Sequence, residues 1–202
     1  MITLPLDHIV VAVGYDLDAA MNDYRALGFT VTYGGVHASG ATHNALIWFA
    51  DSTFIELLAL TGNDPKASEL DFSPLVSGRS GLTGYALRSA DLIADIDRLR
   101  ASGVQVGDPV ESGRLRPDGM RLAWRNALID GGYAPFLIEY LSPPDDQRVP
   151  ADRLLTTHRN GVTRLCGVDF ARGIVSLAAP LTLAVDTVKA YGVMYQAVEA
   201  CP

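Results

Sequence analysis

The chain is poor in cysteine, in positive charge and in long apolar runs, and each shortage closes off a class of protein. Two cysteines in 202 residues, Cys166 and Cys201, cannot make a disulfide framework and lack the spacing of a zinc motif. Sixteen Lys and Arg are set against 23 Asp and Glu, a net charge of −7. Binding to a phosphate backbone needs a cationic footprint, so no nucleic-acid partner is expected. No apolar stretch approaches the ~20 residues of a membrane helix. The opening MITLPLDHIVVAV has no basic leader or cleavage site and carries Asp7 and His8 inside its apolar run. It therefore does not read as a signal peptide, and a cytoplasmic protein with no membrane partner is expected. No GxGxxG follows the first strand and no P-loop occurs, so no nucleotide cofactor is expected. What is there is globular: 49% hydrophobic and 19% charged residues, enough for one ordinary domain or two small ones.

One unit occurs twice. Residues 6–31 and 82–106 correspond at an offset of 75, with Asp16 against Asp91, Leu17 against Leu92, Gly28 against Gly103 and Val31 against Val106. Each copy opens with an apolar run that predicts a strand. Each continues with a helix: Leu17, Ala20, Met21, Tyr24 and Leu27 share one face, as do Leu92, Ile96 and Leu99. Acidic residues open both helices and a glycine closes each. Strand-like runs follow at 30–33, 43–49 and 53–60 in the first copy, and at 104–106, 120–128 and 134–141 in the second. Phe54-Ile55-Glu56-Leu57 then matches Leu137-Ile138-Glu139-Tyr140. The order is strand–helix–strand–strand–strand, twice. After Pro143-Pro144 a strand over 162–170 and a helix with Val188, Tyr191, Tyr195 and Val198 on one face are predicted, with Cys166 an inert buried thiol.

This order resembles the vicinal oxygen chelate superfamily, which includes glyoxalase I, bleomycin-resistance proteins and extradiol dioxygenases. It is most similar to the glyoxalase-like domains, through Gly34-Gly35-Val36-His37-Ala38-Ser39-Gly40-Ala41-Thr42-His43-Asn44, the arginine-rich stretch from Arg114 to Arg125 around Arg116-Pro117-Asp118-Gly119, and His158-Arg159-Asn160-Gly161. The resemblance implies an α+β fold of two tandem βαβββ modules, 1–61 and 81–142, joined by a linker at 62–80. They would form a curved mixed sheet with a concave cavity, followed by a strand–helix extension at 143–202. It allows a homodimer.

The resemblance also implies a site. Glu56 and Glu139, in strands whose neighbours are almost all apolar, fall where the superfamily places metal carboxylates, and His8 falls where it places a first-strand metal histidine. The matching position in the second copy is Gly84, which offers no ligand. His8, Glu56 and Glu139 would hold one divalent metal (Zn, Mn, Fe or Ni). Without a metal they would hydrogen-bond a ligand, and both readings stay open. His37, His43, Asn44 and Trp48 are candidate substrate contacts. His37 suits a general base because imidazole titrates near neutrality, and Glu139 is a second proton carrier. Arg121 and Arg125 share strand parity, so both are expected in the cavity, where they would grip a carboxylate. Two functions follow. One is an enzyme of lyase, isomerase or dioxygenase type acting on a small, oxygen-rich, anionic substrate. The other is a metal-free binding protein of the bleomycin-resistance kind.

Overall fold

The computed structural model describes residues 4–66, 71–143, 153–178, 187–198 and Cys201. The first half runs β1 (Leu6–Ala12), α1 (Leu17–Ala26), β2 (Thr32–His37), β3 (Thr42–Trp48) and β4 (Phe54–Leu60). The short α2 (Ser73–Val76) leads to β5 (Gly81–Arg88), α3 (Leu92–Ala101), β6 (Val110–Leu115), β7 (Arg121–Ile129) and β8 (Gly132–Tyr140). The Asp16 and Asp91 side chains accept from Ala19 N–H and Ala94 N–H and so start α1 and α3.

The eight strands close into a barrel in the order β1-β4-β3-β2-β6-β7-β8-β5, so the expected open curve is a closed one. One seam joins β1 to β5 along most of their length. The other joins β2 to β6 through only Val36↔Leu115 and His37↔Arg114. Backbones approach closely there. A Cβ on Gly35 would stand 2.0 Å from the Leu115 carbonyl oxygen, and its φ of +129° is one that other residues rarely adopt. The sixth strand is displaced from expectation: residues 104–106 contribute only an isolated bridge, Val106↔Ile129, and the strand forms at Val110–Leu115.

The tail has the strand expected over 162–170, at Arg164–Asp169, but strands stand where the helix was expected. It forms a second, four-stranded sheet in the order β11-β12-β10-β9, from β9 (Arg164–Asp169), β10 (Ile174–Ala178), β11 (Thr187–Ala190) and β12 (Val193–Val198). Tyr191 and Gly192 both have positive φ, which is the signature of a two-residue hairpin turn, and period 2 replaces period 3.6. Val193 and Tyr195 are buried while Met194 between them is exposed. Val198 is half-buried, and Val188 stands on β11 with its side chain outside the described set. Cys166 is no free thiol: it is bonded to Cys201.

The outward residues of β1, β3 and β4, among them Ile9, Val11, Ile47, Ile55 and Leu57, form one core with the buried face of α1 and with Leu165, Val175, Leu177, Val193 and Tyr195 of the tail sheet. Tyr24 and Tyr195 meet there, their hydroxyls 2.6 Å apart. Among the described residues no helix is long and apolar enough to cross a membrane.

The two-pair seam makes Gly35 the position least able to change. Gly35→Ala is expected to lower stability by at least about 2 kcal/mol. Gly62→Ala, also at positive φ but with nothing within 4 Å, should cost about 1 kcal/mol. Urea unfolding of the two variants checks the ordering.

Candidate functional site

Strand parity decides which side chains enter the barrel. His8 and Val10 of β1, Asn44 and Trp48 of β3, Phe54 and Glu56 of β4, Leu122, Trp124 and Asn126 of β7, and Phe136, Ile138 and Tyr140 of β8 face in. His37 of β2 and Arg114 of β6 join them from the short seam, and Phe72, just before α2, and Leu75, within it, complete the lining. The free space among them is about 40 Å³, room for a few waters or the small head of a ligand.

Glu56 is the centre of a polar network. Its Oε1 accepts from Asn44 Nδ2 at 2.6 Å, and the other end of that amide, Oδ1, accepts from Arg114 Nη1 at 3.1 Å. Arginine only donates, so the amide orientation is settled by chemistry. Gly34 makes room for the pair: a Cβ there would lie 2.2 Å from Asn44 Oδ1 and 2.7 Å from Arg114 Nη1. The His37 Nε2 lies 3.5 Å from Glu56 Oε1, and its Nδ1 lies 2.9 Å from Thr42 Oγ1. Burial pushes the His37 pKa down to about 4, against the opposing pull of Glu56.

His8 is set by a second carboxylate. A register shift between Leu6 and His8 lets adjacent residues reach one another, and Asp7 Oδ1 lies 2.6 Å from His8 Nδ1. Asp7 also accepts from Arg88 Nε at 2.6 Å and from the Tyr140 hydroxyl at 2.9 Å. Burial alone would raise the Asp7 pKa, but the His8 bond and the charges of His8 and Arg88 outweigh it and hold the carboxyl below its usual range. Ionised Asp7 requires a proton on His8 Nδ1, so the imidazole turns Nε2 toward Glu56 Oε2, 3.6 Å away. The ring stacks on Phe54 at 4.4 Å.

His8, His37, Asn44, Trp48 and Glu56 are thus brought to one cavity, and four other candidates are not. Glu139 lies outside the barrel, where Arg125 Nε donates to its Oε2 at 2.9 Å and Leu92 N–H approaches its Oε1 at 3.4 Å. Arg125 is therefore outside too, paired with Glu139 across β7 and β8. Arg121 is exposed. His43 points outward beside Tyr33, its Nε2 buried without a partner. The cause for Glu139 is a slip of one residue. By strand pairing His8 stands to Phe54 as Ala86 stands to Phe136, which puts Ile138, not Glu139, in the place of Glu56. A one-residue slip turns every side chain to the other face. Ala86, rather than Gly84, is the residue opposite His8.

The donor set does not fit a metal held by His8, Glu56 and Glu139, because Glu139 is on the far side of the sheet. Asn44 also directs an N–H, 2.6 Å from Glu56 Oε1 and 3.5 Å from His37 Nε2, into the space a cation would need. Among the described residues no three His, Cys, Asp or Glu side chains are grouped to hold a metal ion.

Sequence reasoning missed Arg114, Asn126, Phe72 and Leu75. Arg114 shares the face of Trp124 across the ladder and would have emerged from a sixth strand set at Val110–Leu115. Asn126 lies two residues from Trp124 in the strand already expected over 120–128, on the face opposite to Arg121 and Arg125, which were expected inward. Phe72 and Leu75 were hidden in a segment read as linker.

Comparison with known proteins bears on the fold. A hypothetical protein from Staphylococcus aureus is similar in fold, with a TM-score of 0.71 at 14% identity over 97% of this chain and 99% of that one. Methylmalonyl-CoA epimerase from Mycobacterium tuberculosis is 24% identical over 71% of this chain and 94% of its own, with a TM-score of 0.48. Methylmalonyl-CoA epimerase from Streptomyces coelicolor is 24% identical over 69% of this chain and 100% of its own, with a TM-score of 0.44. No curated protein matches the chain. The family model described as "Glyoxalase-like domain" matches residues 6–180, most of the length, and the chain belongs to that family.

Proposed function

We propose that the protein is a small-molecule enzyme that moves a proton at Glu56, next to a carbonyl of an oxygen-bearing, anionic substrate, in isomerase or lyase chemistry. The observation that carries this reading is a buried carboxylate with the His37 Nε2 3.5 Å from one oxygen and the His8 Nε2 3.6 Å from the other, joined through Asn44 to a buried guanidinium. Glu56 takes a proton from the substrate carbon, and the C–H electron pair moves into the carbonyl. The negative charge passes from Glu56 to the new oxyanion, which Arg114 balances, so the cavity carries the same net charge before and after. Neutral His37 keeps a lone pair on Nε2 to receive or return the proton. No step runs through a metal. Arg114 takes the anion-binding role expected of Arg121 and Arg125.

The same reading treats the two strand–helix–three-strand halves as tandem βαβββ units. The first has kept His8 and Glu56, and the second has Ala86 and Ile138 at the corresponding places. A binding protein without turnover is the second reading, favoured by the aromatic walls Trp48, Phe54, Phe72 and Trp124.

Deuterium wash-in separates the two. Small 2-keto acids incubated with the protein in D2O should lose their C–H signal next to the carbonyl by NMR, and Glu56→Gln should slow this by about 100-fold or more. Binding seen by tryptophan fluorescence with no exchange in any substrate would establish the second reading instead.

His37 adds a stability signature. Its proton affinity is lower in the folded chain, where the pKa is about 4, than in the unfolded one, where it is near 6.5. The contribution is fully present above pH 6.5 and is lost as the pH falls toward 4, roughly 3 kcal/mol in all. Urea midpoints at pH 7, 6 and 5 should therefore fall more steeply for the natural protein than for His37→Gln.

A further inference from the structure

Asn126 is 1% exposed and lines the cavity, yet neither its Nδ2 nor its Oδ1 has a partner. Ser112 pairs with Trp124 on the same ladder, so it is the diagonal neighbour of Asn126 on the inward face, and its buried Oγ is also unpartnered. Buried polar atoms are normally bonded, because each one left alone forfeits the hydrogen bonds it made in water. Ile138 faces Asn126 across β8, and Leu122 and Trp124 precede it on its own face. A leucine would suit such surroundings better for stability alone. The amide is kept against that gradient, in a cavity whose remaining walls are apolar and aromatic.

The chemistry of the missing partner follows from the group that awaits it. A carboxamide presents a donor and an acceptor side by side. A carboxylate would satisfy Nδ2 but set a negative oxygen against Oδ1, and an ammonium would do the reverse. Only a group with its own acceptor and donor side by side satisfies both. Arg114, the cation of this cavity, lies toward Gly34 and Asn44 and already donates to the Asn44 amide oxygen there.

We propose that Asn126, backed by Ser112, is the subsite for an uncharged amide-type edge (a primary carboxamide, lactam or imide) on a ligand whose flat apolar body lies against Trp124. The proposal rests on the reading of this cavity as a small-molecule site and names the kind of molecule that enters it.

The chain has two tryptophans, Trp48 and Trp124, and both line the cavity, so intrinsic fluorescence reports on its occupancy. Benzamide should quench it saturably, and benzylamine, of similar shape but cationic, should not. Asn126→Leu should weaken benzamide binding at least tenfold, leave benzoate binding within twofold, and raise the thermal midpoint. Where Asn126→Leu does not fold, Asn126→Asp serves: it keeps the size, loses the donor, and should lose benzamide to the same extent. Equal benzamide binding by the natural protein and either variant would overturn the subsite. So would a fall in the thermal midpoint of Asn126→Leu with binding unchanged, which would mean that ordered water satisfies the amide. Deuterium wash-in that depends on Glu56, without benzamide binding, would leave the proton chemistry standing and remove the subsite.

Discussion

A carboxylate taken out of water costs several kcal/mol unless donors and positive charge replace its hydration. Glu56 sits in the middle of an otherwise apolar strand, and the arrangement of the cavity answers that cost. Asn44 supplies the direct hydrogen bond. Arg114 supplies the charge one step away, through the far end of the same amide. The glycine pair of β2 follows from this: Gly34 leaves room for the Asn44–Arg114 contact, and Gly35 lets β2 come close enough to β6 to bring Arg114 in. The loop-like composition of that stretch therefore reflects steric demand at a charged contact as much as turn formation.

The cavity is lopsided. The strands of the first half bring His8, His37, Asn44 and Glu56; the strands of the second half bring Leu122, Trp124, Phe136 and Ile138, with Asn126 and Arg114 as polar exceptions. One wall holds charge and protons, and the other offers a flat apolar surface. Desolvation by that apolar wall keeps His37 neutral, since the nearby Glu56 alone would favour its protonated form. Asp7 performs the complementary task for His8. Bonded to Arg88, His8 and the Tyr140 hydroxyl, it keeps a proton on His8 Nδ1 and fixes the orientation of the ring, and it links β1 of the first half to β5 and β8 of the second.

Much of this was legible before any coordinates, and the failures have one physical origin. The element order through Tyr140, the acidic starts of both helices, and the inward places of His8, His37, Asn44, Trp48 and Glu56 follow from apolar periodicity and from the family resemblance. The misplaced residues are those whose face depended on exact register. Glu139 aligned with Glu56 by residue type, but the strand ladder pairs Phe136 with Ala86 and carries Ile138 inward. Arg121 and Arg125 were correctly read as sharing a face, and that face is the outer one. Parity gives relative direction within a strand, but only the pairing with neighbours says which direction is the interior. The tail failed for a related reason: in Thr187–Val198 a two-residue turn at Tyr191-Gly192 resets the phase, and the apolar residues on either side mimic a helical stripe.

No described residue of the tail lines the cavity, yet the tail bears on the cavity wall. His158 Nδ1 accepts from Thr30 N–H at 3.1 Å, which obliges Nε2 to carry the proton it shares with the Trp48 carbonyl oxygen at 3.1 Å. Asn160 hydrogen-bonds Leu27 and Gly28 at the end of α1, and a Cβ on Gly28 would come within 2.8 Å of it. The segment that leaves the barrel is thereby fastened at the end of β3, on the backbone of the residue whose indole closes one side of the cavity against Phe54. From there the tail sheet returns to cover α1 through Tyr195 and Val193. The buried face of α1, with Leu17, Ala20, Met21 and Tyr24, shares one core with the barrel and the tail sheet, while Asp18, Asn22, Asp23 and Arg25 face water. The strand that carries Asn44 and Trp48 is held from the barrel interior by the polar network and from outside by the tail.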